Sequence, residues 1–160
     1  MTAFLVTLVS TGFFVGYIPV ASGTFGSVLG VVFWILLSFR NPGLNPVAAG
    51  VCTGIGFFVS GYAERRVFKN RDDSRIVIDE ISGMLVTFLS FRFSFDTTGI
   101  VFLFAGFGLF RVLDIIKPPP IGMLQKVDGA GGIMLDDIAA GAIANCILQC
   151  IRVLFFRYPA

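Results

Sequence analysis

The chain has 160 residues, 56% of them hydrophobic and only 14% charged, a balance outside that of ordinary water-soluble domains. It contains no histidine, which excludes histidine-ligated metals, Ser-His-Asp triads and phospho-histidine chemistry. A net charge of +2, with no basic face laced with aromatics, argues against nucleic acid as a partner.

The length fits one domain, residues 1–160. Six apolar segments follow one another, near residues 3–17, 25–39, 47–63, 81–91, 99–113 and 138–156. The runs are long and lack period-2 alternation, so they predict helices rather than strands. Several are shorter than the roughly 20 residues that cross hydrocarbon upright, a shortfall that snorkelling or bilayer thinning accommodates. The first carries Thr7, Ser10, Thr11, Gly12 and Gly16 and is the weakest candidate span, suited to the interface. With no Lys or Arg before Arg40 it lacks the charged start of a signal peptide and reads as a retained helix. The expected fold is therefore all-α, a membrane-embedded bundle of about six helices.

Small residues four apart (Gly12 and Gly16, Gly26 and Gly30, Gly50 and Gly54) predict close helix packing. Cys52, Cys146 and Cys150 all fall inside apolar segments, as core or lipid-facing thiols would. If each segment from the second onward crosses the bilayer, the loops divide by charge. One side collects Arg65, Arg66, Lys69, Arg71, Arg75, Lys117 and Lys126; the other has Arg40, Arg92 and Arg157. The positive-inside rule makes the first side cytoplasmic, with short loops on the other face.

Three motif regions fall on that face. Residues 19–27, PVASGTFGS, place Gly23, Thr24 and Ser27 at a helix start, where free N–H groups suit an anion such as phosphate. Capping by Ser22 or Thr24 explains the same residues. Residues 72–83, DDSRIVIDEISG, put Asp79 and Glu80 side by side at the mouth of an apolar helix. Paired hard carboxylates suit Mg²⁺, and helix capping or a bridge to Arg75 is the plainer account. Residues 110–141 carry Arg111, Asp114 and Lys117 at spacings of three, on one helix face before three prolines end it. Asp128 and Gly129, Gly131 and Gly132 then lead as a flexible run to Asp136 and Asp137, placed where the next helix begins. An Arg111–Asp114 ion pair and capping aspartates would again suffice singly. Together, a glycine-rich anion loop, two carboxylate pairs and an Asp/Lys cluster on one membrane face fit metal-assisted chemistry on a lipid phosphate.

In order along the chain, these motifs resemble the phosphatidylglycerophosphatase A family: Pro19 with GTFGS at 23–27, D-x-x-x-I-V-x-D-E-x-x-G at 72–83, F-R-x-x-D-x-x-K-P-x-P-I at 110–121, and the M-x-D-D-x-x-A-G run ending at Gly141. Val20 and Ser22 stand where the family often has a basic residue and a second proline, and GAGGI before the aspartates spaces its glycines differently. The resemblance implies Mg²⁺-dependent hydrolysis of phosphatidylglycerophosphate to phosphatidylglycerol and phosphate at the bacterial cytoplasmic (inner) membrane. No C-x5-R loop or D-x-D-x-T motif is present, which favours direct, metal-assisted attack by water; an aspartyl-phosphate route stays open. Asp79, Glu80, Asp136 and Asp137 would be catalytic and hold metal, and Asp114 would be a supporting group or base. Arg111 and Lys117 would join Gly23, Thr24 and Ser27 in binding phosphate. A small ion-coupled membrane transporter is the rival, since acidic residues at broken helices also bind ions there.

Overall fold

A computed structural model describes residues 3–156. Among them are seven α-helices and no strand: α1 Ala3–Ser10, α2 Ser22–Arg40, α3 Leu44–Tyr62, α4 Ile78–Thr87, α5 Thr97–Ile116, α6 Ile121–Leu124 and α7 Ala130–Ile151. A π-helical turn, Ala63–Phe68, prolongs α3, and another, Arg152–Phe156, prolongs α7. Arg157, assigned above to the far face, lies outside the described residues.

With their π-helical extensions counted, α2, α3, α5 and α7 are each long and apolar enough to cross a membrane. Their outward faces carry Leu36, Val47, Phe58, Phe104 and Ile115, each at least 60% exposed. So broad an apolar exterior is untenable in water and ordinary in lipid. The chain is a membrane protein. The first segment is no span: α1 has eight residues, about 12 Å. It ends with the Ser10 carbonyl accepting from the Val77 N–H at 2.9 Å.

The fourth segment departs most from expectation. The apolar run predicts a helix over about 81–91; α4 instead starts at Ile78 and stops at Thr87, ten residues or about 15 Å, half a ~30 Å hydrocarbon core. It is enclosed by α2, α3 and α7, so that nearly every side chain on it is buried. Residues 88–96 complete the traverse without a helix. Phe88 stacks on Trp34 with centroids 3.9 Å apart, and Phe93 and Phe95 pack on Phe39 near the end of α2. Asp96 then caps α5, accepting from the Gly99 N–H at 2.8 Å.

Of the small-residue pairs, Gly26 and Gly30 pack as expected. A Cβ on either would stand 2.7–2.8 Å from a Cβ on α4, of Val77 at its cap and of Met84. Gly50 and Gly54 meet nothing within 4 Å and pack no helix in this chain. Gly12 lies in a turn (φ +54°) and Gly16 in a 3-10 turn (Val15–Tyr17), so their spacing is not helical packing. Cys146 and Cys150 are exposed on α7, as lipid-facing thiols are, and Cys52 is half-buried.

Candidate active site

The first turn of α4 carries Asp79, and Glu80 follows; both point inward because the rest of this helix is buried too. On α7 the correction is larger. The helix begins at Ala130 behind Gly129 (φ +70°), not at the aspartates. Gly131 and Gly132 are helical rather than a flexible run, and Asp136 and Asp137 lie nearly two turns inside, where no capping role exists.

Two glycines bring these turns together. A Cβ on Gly83 would stand 2.5 Å from the Phe110 ring and 2.8 Å from the Asp137 carbonyl oxygen; one on Gly141 would stand 2.4 Å from the Gly83 carbonyl oxygen. The helices therefore cross backbone to backbone, one turn beyond each acidic pair. The result is a cluster in which Asp79, Glu80 and Asp137 each offer a carboxylate oxygen, all within 4.8 Å of one another. Asp114 lies alongside Asp137. Such a set of hard oxygen donors is compatible with a divalent cation.

Asp136 turns away from this trio, roughly 100° around the helix from Asp137. Its Oδ2 accepts from Lys117 Nζ at 2.5 Å, while Lys117 lies 3.8 Å from Asp114. Lys117 is the left-handed cap of α5 (φ +48°), where the prolines end the helix as expected. Burial pulls its amine down, but the hydrogen bond to Asp136 and the charges of Asp136, Asp137 and Asp114 outweigh it and hold the pKa above its ordinary value. Arg111, nearly two turns earlier, donates to Asp114 at 2.6 Å and to Ser27 Oγ at 3.3 Å.

The loop at residues 19–27 reaches the site through two residues. Gly23 lies against Glu80: a Cβ there would be 2.3 Å from Oε1 and 3.4 Å from an Arg111 nitrogen. Ser27 is fully buried, its hydroxyl donating to the Gly23 carbonyl and accepting from Arg111. Thr24 is half-buried in the first turn of α2. Neither Ser22 nor Thr24 caps that helix: the cap is Ala21 (φ +51°), and Ser22 Oγ donates to the Ser74 carbonyl instead. Arg75 bridges to Asp73 at 2.7 Å, not to Asp79 or Glu80. Asp128 is exposed and pairs with Arg71 at 3.1 Å, away from the cluster.

Buried polar atoms without partners mark where a ligand belongs, because each is costly to leave unmade. Among the described residues, Glu80 Oε2, Arg111 Nε and Asp136 Oδ1 are such atoms, and all three belong to this cluster. The remaining one, Asn45 Oδ1, belongs to a residue that reading the sequence missed; in RNPGLNP, between two apolar segments, it reads as loop.

The acidic and basic cluster at the end of the spans has the groups a phosphoric monoester hydrolase needs, and the chain's relatives make it a member of that class. The model of the family described as PgpA: Phosphatidylglycerophosphatase A matches residues 8–152. Phosphatidylglycerophosphatase A of Escherichia coli strain K12 is 36% identical over 147 residues, covering 90% of this chain and 81% of that protein. The Haemophilus influenzae enzyme of the same name is 29% identical, covering 91% and 87%. A Bacteroides thetaiotaomicron protein, whose provisional name is phosphatidylinositol-3-phosphatase, is 29% identical over 94% and 95%. No solved structure gives a significant match. The chain belongs to the phosphatidylglycerophosphatase A family.

Proposed function

We propose that this protein hydrolyses the terminal phosphate of phosphatidylglycerophosphate, using Mg²⁺, at the cytoplasmic face of a bacterial inner membrane. The observation that carries the reading is the meeting of Asp79, Glu80 and Asp137 with the cations of Arg111 and Lys117 where the spans end. Three of the four carboxylates expected to hold metal form the trio; Asp136 would act through Lys117. When bound, the metal supplies a positive charge that offsets the phosphate's own.

The chain's side chains would supply the rest. Lys117, kept protonated by its carboxylates, and Arg111 bind the phosphate oxygens and stabilise charge as the P–O ester bond breaks. Asp136 aims Lys117, and Asp114 with Ser27 aims Arg111. A carboxylate of the cluster takes the proton of the attacking water, and Asp114, beside Asp137, is placed for that role. Ser22 and Gly23 open α2 with no side-chain cap, which leaves the Gly23 N–H for a phosphate oxygen; the Thr24 N–H already donates to the Ala21 carbonyl at 2.9 Å, so Thr24 would contribute through its hydroxyl. A transporter would hold its acidic site near the bilayer midplane. Here Glu80 packs against Gly23, the second residue of a span.

Protein purified in detergent should release inorganic phosphate from phosphatidylglycerophosphate with Mg²⁺ and stop on chelation. A parallel arm with phosphatidylinositol 3-phosphate reads headgroup choice. Release from neither lipid overturns the reading, and full activity in chelator overturns its metal.

A further inference from the structure

The helix that carries Asp79 and Glu80 ends inside the bundle. Phe88 stacks on Trp34, twelve residues or roughly 18 Å along α2 from its start at Ser22. At that depth a helix end leaves carbonyl groups that water cannot reach, and unwound backbone is tolerated only where protein groups satisfy it.

Side chains from three spans do so. Asn45, the second residue of α3, donates through Nδ2 to the carbonyls of Phe88 (2.8 Å) and Leu85 (3.4 Å). Asn145 of α7 donates to the Thr87 carbonyl at 2.8 Å. Trp34 Nε1 donates to the Phe91 carbonyl at 3.0 Å. Asn45 is 1% exposed, and its Oδ1 has no partner. A leucine would fill this space without an orphan acceptor, so volume does not explain an amide here. An amide adds directionality. Moving α4 by one residue shifts it about 1.5 Å axially and turns it about 100°, which takes these carbonyls away from both donors. A buried Asn fixes register by the same logic in helical assemblies.

We propose that Asn45 and Asn145 are positioning residues that set the depth and rotation of α4, and thereby the alignment of Asp79 and Glu80 with Asp137. The amides act from roughly 13 Å away, the length of helix between Asp79 and Phe88. Their bearing on catalysis rests on the active site proposed above; their bearing on register does not.

A cross-link reads the register directly. The Cys52 thiol of α3 lies beside the Ser82 hydroxyl of α4. Ser82→Cys therefore pairs a new thiol with a native one, and Cys146→Ser with Cys150→Ser removes the other two. Disulfide closure demands narrow geometry, so the yield under mild oxidation reports the position of α4 against α3. Adding Asn45→Leu or, at the half-buried position, Asn145→Leu should cut that yield severalfold. In the parent background each should lower kcat at least tenfold with little change in KM. An unchanged cross-link in either variant overturns the proposal whatever the activity, and so does failure of both to yield monodisperse protein, which would make the amides folding determinants. Because cross-linking needs no substrate, its outcome is independent of whether the phosphatase reading holds.

Discussion

The acidic turn of α4 and the acidic turn of α7 look alike as sequence, two adjacent carboxylates at the edge of an apolar run. The fold uses them differently. Asp79 and Glu80 occupy a first turn and both enter the cluster, whereas on α7 the pair divides, Asp137 to the trio and Asp136 to Lys117. Adjacent residues on a helix diverge by about 100°, so a doublet far inside a helix serves two partners unless the whole surface is enclosed. Enclosure is what α4 has and α7, with an exposed lipid face, has not.

That division predicts unequal losses. Asp79→Asn and Asp137→Asn each remove a charge from the trio while keeping size and a hydrogen-bond acceptor. Each should lower turnover by roughly a hundredfold or more, the scale of one lost transition-state interaction. Asp136→Asn frees Lys117 without touching the trio and should cost nearer tenfold, by order of magnitude. Adding Lys117→Gln to it should then cost less than Lys117→Gln costs alone, since both variants break one pair. Equal losses at positions 136 and 137, with additive Lys117 effects, would erase the distinction between the two aspartates.

The glycine crossing is the next place to press. Gly83→Ala would put a methyl group 2.5 Å from the Phe110 ring and 2.8 Å from the Asp137 carbonyl oxygen, and Gly141→Ala one 2.4 Å from the Gly83 carbonyl oxygen. Forcing the helices apart should lower stability by about 1–3 kcal/mol, as overpacking does, and lower activity with it because the two acidic turns separate. Gly50→Ala faces open space and is the control, with melting temperature and activity near parental. Activity retained in a destabilised Gly83→Ala protein would show that the cluster tolerates a wider crossing.

How much of this was legible beforehand follows the physics of each signal. Hydropathy located the long spans, because their apolar runs exceed anything a soluble core needs. Motif charges foreshadowed the cluster, and Arg111, Asp114 and Lys117 stayed on one side of a helix as their spacing required. The start of α7 was hidden because Gly129 to Gly132 reads as a loop by propensity, yet the glycines at 131 and 132 lie inside the helix, where tertiary packing overrides that preference. The broken crossing was hidden for the opposite reason. Nothing in the run from Ile78 to Phe91 forbids a longer helix; it stops where Asn45, Asn145 and Trp34 donate to the carbonyls at and beyond its end, and those donors lie 40 to 58 residues away in sequence from the carbonyls they satisfy.

The smallest expected effect separates a carboxylate that serves the fold from those that serve the site. Asp73 is buried in the loop before α4 and accepts from the Arg75 backbone (3.1 Å), from Arg75 Nε and Nη2 (2.7 and 2.8 Å) and from Asn70 (3.3 Å). The Arg75 side-chain hydrogen bonds, above all, hold its carboxyl down at about 2. A depressed folded pKa means stability that is complete above the ordinary value of 3.8 and is lost as pH falls through about 2. Arg75 remains partly in water, stacked 4.2 Å over Phe68, so the contribution is on the order of 1 kcal/mol. Asp73→Asn should therefore melt about 2–4 °C below the parent near neutral pH. Its turnover should stay near parental, since the residue touches nothing in the cluster, and the two melting curves should converge as the pH approaches 2. Curves that stay parallel across that range would show that Asp73 stabilises the loop through shape and neutral hydrogen bonds, not through its charge.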